Sequence, residues 1–285
     1  MLLIPVAWYI LFQYTPIYGI LIAFKDYRPA RGIWGSQWVG LDHFKRFFSS
    51  FYFGRILGNT LSINILALMF GFPFPIFFAL LLGELRSNKF RKTLQNVAYI
   101  PHFLSSVIIV SIMQLIFNPN TGVYNIIREF FGLSTTNYFA STKAFKPMYI
   151  ISGIWQNMGW DAILYVAALA GIDPTLYEAA SIDGAGRLQR IRHISLPGIS
   201  STITITLLLR CGRIMSIGYE KVLLMQNSLN QASSDVISTY VYRVGMLEGN
   251  FDYSTAISLF NSACNIVLLV IANRIAKLVS DTSLW

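Results

Sequence analysis

The sequence predicts an all-α polytopic membrane protein with about six transmembrane helices, and three observations predict it. Hydrophobic residues make up 54% of the 285 and charged residues only 12%, with a mean hydropathy of +0.53; soluble domains carry about 25% charged residues. Windows of roughly twenty predominantly apolar residues, the length that crosses a bilayer, recur along the chain. The short connections between them hold clustered Lys and Arg, part of a net charge of +9. One transmembrane domain over residues 1–285 accounts for all three.

The windows fall in order at Leu2–Phe24, Thr60–Leu82, Val97–Phe117, Met148–Ala170, Ile199–Ile217 and Thr255–Ala276. Pro16, Pro73, Pro75 and Pro101 lie in or beside them. A membrane helix tolerates proline where neighbours re-satisfy the freed carbonyls, so kinks are expected at these positions. The short loop Gly83–Asn96 carries Arg86, Lys89, Arg91 and Lys92, and the connection after the fourth window carries Arg187, Arg190 and Arg192. Short basic loops stay in the cytoplasm, which places both termini inside. Lys45, Arg46 and Arg55 sit in longer loops of the other face, which cross with less regard for charge. The positive balance then reads as topology and attraction to membrane lipid; no soluble basic domain is present to hold a nucleic acid. Met1-Leu2-Leu3-Ile4 has no basic residue ahead of the first window and no small-residue cleavage site, which leaves room for a trimmed start.

Between the fourth and fifth windows runs the most informative segment: Tyr177, then Glu178-Ala179-Ala180-Ser181-Ile182-Asp183-Gly184, nine further residues, and Ile194-Ser195-Leu196-Pro197. Asp173 is a good N-cap and Pro174 a good first helical residue, so a short helix starts there and Gly184 ends it in a left-handed turn. A second short helix carries Arg187, Arg190, Arg192 and His193 before Pro197 leads into the next span. The result is a compact basic knuckle whose small alanines admit the close approach of another protein.

This spacing resembles the EAA loop of binding-protein-dependent ABC importer permeases, and every fixed position of that pattern is filled. In that family the loop, here 171–198, docks into the ATP-hydrolysing subunit. The resemblance extends through Phe24-Lys25-Asp26-Tyr27, Trp38-Val39-Gly40-Leu41-Asp42-His43-Phe44, Asn59-Thr60-Leu61, Gly71-Phe72-Pro73, Tyr99-Ile100-Pro101-His102-Phe103 and Tyr242-Arg243-Val244-Gly245 to the branch that serves complex oligosaccharides and polysaccharides, with alginate importer permeases as a candidate within it. It implies a type I importer architecture in the bacterial inner membrane. The partners it implies are a second permease subunit, expected to be a different protein, two ATPase subunits and an extracytoplasmic solute-binding protein. It further implies that this chain is no enzyme and holds no cofactor, ATP and Mg being bound by the ATPases.

The residues themselves agree that energy must come from a partner: there is no phosphate-cradling Gly-x-x-x-x-Gly-Lys-Ser/Thr loop, and Gly184-Ala185-Gly186 follows no strand. No nucleophile with a neighbouring His and carboxylate is recognisable. His43, His102 and His193 are scattered, and Cys211 and Cys264 lie inside windows without metal-ligand spacing.

A substrate pathway is sought among polar residues within the windows. Thr202, Thr206, Arg210 and Arg213 share one helical face. An arginine at a helix centre costs at least ~2.5–3.5 kcal/mol on insertion, so two imply water, a carboxylate partner such as Asp161 or Glu220, or an anionic cargo. Uronate carboxylates suit guanidinium forks, and internal pairing is compatible with that. Trp155, Gln156, Asn157, Trp160 and Asp161 in the fourth window, and Ser254, Ser258, Asn261 and Asn265 in the sixth, complete the candidate set. Each alone reads more readily as interfacial or structural glue, and as a set they mark where a cavity would be. The segment 219–253 is expected to be an extracytoplasmic loop, with Gln226, Asn227, Asn230 and Gln231 reaching toward the binding protein. Two other functions compete: a secondary transporter, which should show inverted repeats, and a membrane-embedded glycan-processing enzyme using Asp161 with Glu220.

Overall fold

The computed structural model describes residues 2–279, and they are almost wholly helical. The principal helices are α1 (Leu3–Phe24), α2 (Asp42–Phe48), α3 (Phe53–Gly83), α4 (Asn88–Phe103), α5 (Ser106–Ile116), α6 (Val123–Phe130), α7 (Thr142–Ala170), α8 (Pro174–Ile182), α9 (Arg187–Gly198), α10 (Ser200–Cys211), α11 (Tyr219–Met225), α12 (Ile237–Tyr242) and α13 (Phe251–Val279). A two-strand antiparallel ribbon pairs Lys25 with Trp38 and Asp26 with Gln37.

Among the described residues, α1, α3 and α13 are each long and apolar enough to cross a bilayer, and two bent pairs raise the count to five. The fourth expected span is α7, whose 29 residues extend roughly 43 Å at 1.5 Å per residue. It is long enough, and its polar residues Gln156, Asn157 and Asp161 line a cavity.

Two expectations about the spans need correction. Val97–Phe117 is not one helix: α4 and α5 meet at 98°. Leu104 is extended there, and Ser105 starts a new helix by accepting the Ile108 amide at 3.3 Å. The fifth span is also shorter than Ile199–Ile217: α9 bends by 60° into α10, which ends at Cys211. Arg213 therefore lies in the following turn and not on the face that carries Thr202, Thr206 and Arg210.

Proline is handled differently at three places. Wide π-type turns at Ile10–Tyr14, Ala67–Gly71 and Ile191–Ser195 each finish two residues before Pro16, Pro73 and Pro197. A proline ring clashes with the carbonyl four residues earlier in an α-helix; the wider turn moves that carbonyl away. Accordingly α1 and α3 continue as single spans through Pro16 and Pro73, where kinks were expected.

Among the described residues, three buried clusters hold the helices together. Ile76, Ala79, Leu80, Ala162, Tyr165 and Ile199 join α3, α7 and the start of α10 near the basic knuckle. Ile63, Ile109, Met113, Phe145, Met148, Val222 and Met225 join α3, α5, α7 and α11. Phe47, Ile56, Met215, Ile237, Tyr240 and Ile257 join α2, α3, α12 and α13. Gly159 lets α7 touch α4: a Cβ there would stand 2.2 Å from the Ala98 carbonyl oxygen.

The segment 219–253 is folded back onto the bundle. Asp235, fully buried, accepts from Arg55 at 3.2 Å and from both terminal nitrogens of Arg243 at 3.3 and 3.0 Å. Asn230, 1% exposed, donates to the carbonyls of Phe139 and Met225. It is a staple within the fold, not a residue free to reach a partner. Gln226 likewise donates to Ser234.

Candidate functional site

The basic knuckle forms as its capping chemistry dictates. Asp173 accepts the Thr175 amide at 2.9 Å, and that bond holds its carboxyl below the usual range. Gly184, at φ +76°, closes α8: the Ala185 amide reaches the Ala180 carbonyl at 2.8 Å and the Gly184 amide reaches that of Ser181 at 3.2 Å. This is a Schellman closure, which needs a left-handed residue at that position. The Gly186 amide then donates to the Gln189 side chain at 2.7 Å and starts α9.

What the knuckle presents differs in part from the sequence expectation. Glu178, Ala179, Asp183, Gly184, Arg187, Leu196 and Pro197 are exposed, and Ala180 and Ile194 are half-buried. Tyr177 turns inward, its hydroxyl 3.0 Å from that of buried Ser195, so it braces α8 against α9. Three apolar side chains that sequence reasoning passed over project from the surface: Leu176, Ile182 and Leu188, at 52%, 86% and 78% exposure. A ridge of exposed aliphatic side chains flanked by Glu178 and Arg187 is suited to docking. Behind it, Arg190 pairs with Glu84 at the end of α3 at 3.2 Å and donates to Ser181. Arg190 and Glu84, with Arg86, Arg91 and Lys92, line a cleft of 520 Å³.

The second feature is a central cavity of 430 Å³ between α3, α7, the turn after α10 and α11, lined by Asn64, Gln156, Asn157, Asp161, Arg210, Ser216 and Lys221 among others. A 640 Å³ opening shares Asn64, Asn157, Arg210 and Ser216 with it and adds Arg213. Arg210 pairs with Asp161 across α7 and α10 and lies over the Phe72 ring. Exposed Arg213 has no carboxylate within ion-pair distance among the described residues, and Glu220 lines neither cavity. Asn157 accepts through Oδ1 from His102 Nδ1 at 3.0 Å, and the His102 ring stacks on Trp160 at 4.4 Å between ring centres.

The cavity gathers Gln156, Asn157, Asp161 and Arg210, its adjoining opening adds Arg213, and the other candidates lie elsewhere. Trp155 faces an apolar groove with Ile109, Met113 and Tyr138. Trp160 is 42% exposed against His102 and Phe103. Ser258 and Asn261 line a separate groove with Tyr219 and Tyr242. Asn265 braces the turn after α10, accepting from the Met215 amide and donating to Ser216. Sequence reasoning missed Lys221 and Asn64 as lining residues of this cavity. Lys221 lies one turn before buried Met225, a spacing that would have turned it inward had 219–225 been read as a helix.

Comparison with known proteins agrees with this architecture. Residues 71–282 match the family described as binding-protein-dependent transport system inner membrane component. Protein LplB of Bacillus subtilis is 45% identical over 97% of this chain and 87% of its own. A polygalacturonan/rhamnogalacturonan transport system permease protein of the same organism, YteP, is 43% identical over 100% of this chain and 89% of its own. Among solved structures, a chain of a bacterial alginate ABC transporter in complex with alginate pentasaccharide-bound periplasmic protein superposes with a TM-score of 0.91. It is 38% identical and covers 100% of this chain and 95% of that one.

Proposed function

The chain belongs to the family of binding-protein-dependent transport system inner membrane components, and from that premise we propose that it is a transmembrane subunit of an ATP-driven importer that moves an oligo- or polysaccharide delivered by a solute-binding protein. The observation that carries the reading is the pairing of two features in one chain. A capped knuckle presents Leu176, Ile182 and Leu188 outward, and a charged, amide-lined cavity lies between the helices above it. In this reading the knuckle docks on partner ATPases, which bind ATP and Mg. Their closure moves α8 and α9, and Arg190 passes the displacement to α3 through Glu84. The cavity then changes the face to which it opens.

A second, different permease completes the pathway, two ATPases lie on the cytoplasmic side with both termini of this chain, and the binding protein docks on the opposite face. The chain performs no chemistry of its own. Asp161 is held by Arg210, and Glu220 lines no cavity with it, so the pair that a glycan-processing enzyme would require is not assembled. The nature of the relatives favours acidic polymers, since polygalacturonan and alginate are both chains of uronates.

Co-purification and uptake test the reading. The chain should elute with an ATPase and a second permease, and vesicles holding that assembly should accumulate oligogalacturonate only with ATP and binding protein present. Uptake by this chain alone, without ATP, would leave the secondary transporter as the better description.

A further inference from the structure

Among the described residues, Lys221 is a buried charge with no ionic partner. It is 9% exposed, on α11, and lines the central cavity. Among the described residues its ammonium meets no carboxylate, carbonyl or hydroxyl; its one recorded contact is the Tyr149 ring, 5.2 Å from Nζ to the ring centre. A buried cation is ordinarily paired and hydrogen-bonded, because a ring face replaces only part of its lost hydration. The other charges of the cavity do not supply the missing partner: Asp161 is taken by Arg210, and the remaining ionic group, Arg213 in the adjoining opening, is a cation too. Two positive charges are thus left over in a space with low-dielectric walls, which raises the local concentration of anions. Burial accordingly pulls the Lys221 ammonium down to about 8. Lys221 reaches the cavity beside Gly153, where even a Cβ would lie 3.9 Å from Nζ.

We infer that Lys221 is the residue by which the central cavity selects acidic saccharides, its ammonium receiving a uronate carboxylate as the sugar passes. Neutral cavity amides, Asn64, Gln156 and Asn157, meet the hydroxyls. Arg210 is left to its structural pair, and Arg213 receives the carboxylate nearer the opening. The inference rests on the importer reading and adds to it the side chain that reads the cargo's charge.

The test uses the complete transporter in proteoliposomes with its binding protein, and two probes of equal length: trigalacturonate and its fully methyl-esterified, uncharged form. Lys221→Met should raise the KM for trigalacturonate about tenfold, the worth of one charge-assisted hydrogen bond, while the ester keeps its wild-type KM. Lys221→Arg should keep the acid within a few-fold of wild type. Equal change for both probes, or no change for either, overturns the inference and leaves Lys221 a packing residue against Tyr149. Where the wild type accepts only the acid, the split between constants decides. A raised KM at unchanged maximal rate supports the assignment, and a fall in maximal rate alone overturns it. A wild-type assembly that takes up neither probe overturns the importer reading, and this inference with it.

Discussion

Removing Arg210 tests whether the pair with Asp161 is scaffold or cargo site. Arg210→Gln would leave Asp161 facing the cavity without its guanidinium and would also take the cation from the Phe72 ring, 5.6 Å from Cζ. The two side chains are 37% and 32% exposed, so cavity water screens them. The pair therefore belongs near the lower end of the ~1.5–3 kcal/mol range of a charged hydrogen bond. At about 1.4 kcal/mol per factor of ten, that is roughly tenfold in any equilibrium the pair supports. Uptake of trigalacturonate and of its methyl ester should fall by the same factor. Asp161→Asn in the same chain should recover most of both, because the stranded carboxylate is gone. A double-mutant cycle on uptake, run beside the thermal midpoint of the purified complex, measures the coupling. Selective loss of the acid, with no recovery from Asp161→Asn, would refute the reasoning and place the Arg210 guanidinium on the cargo.

Gly184→Val forces a β-branched residue to φ +76°, a strain of ~1–2 kcal/mol, without touching any spanning face. ATPase stimulation by loaded binding protein should drop while cargo binding survives; wild-type stimulation in an inserted variant would contradict the docking role. Glu84→Arg and Arg190→Glu should each uncouple ATP hydrolysis from uptake, and the two together should restore coupling; two single variants that couple normally would remove the link between knuckle and α3. Asp235→Ala should lower the thermal midpoint of the purified complex strongly, since stranding Arg55 and Arg243 costs about 3 kcal/mol, and an unchanged midpoint would show the cluster to be energetically idle.

The knuckle was legible in the sequence because its geometry is local. Asp173, Pro174 and Gly184 specify a start and a stop within a dozen residues, and caps act through the backbone next to them. The cavity was legible only in part, since Arg210 and Asp161 stand 49 positions apart and hydropathy ranks both merely as charges in apolar windows. Asn265 and Asn230 read as cargo-facing or partner-facing amides and proved to be braces. An amide satisfying a turn and one facing a cavity look alike until their backbone partners are known. The 98° corner was legible only as a kink beside Pro101, because apolar content does not change across Leu104 and gives no sign of how far the chain turns. Lys221 escaped because one lysine in a polar loop carries no sign of which way it points.

The three wide turns ahead of Pro16, Pro73 and Pro197 affect how helical faces are numbered. Each is equivalent to one residue inserted into an α-helix, so everything beyond it is rotated by about 100° relative to an uninterrupted count. A helical wheel drawn straight through Ala67–Gly71 would therefore assign lipid and protein faces in α3 correctly on one side of Pro73 and wrongly on the other. The same offset makes these turns the natural joints for exchanging segments with relatives. A crossover that keeps the turn and its proline together preserves the phase of both halves. One that separates them shifts an entire face by a quarter turn or more, whatever the similarity of the residues exchanged.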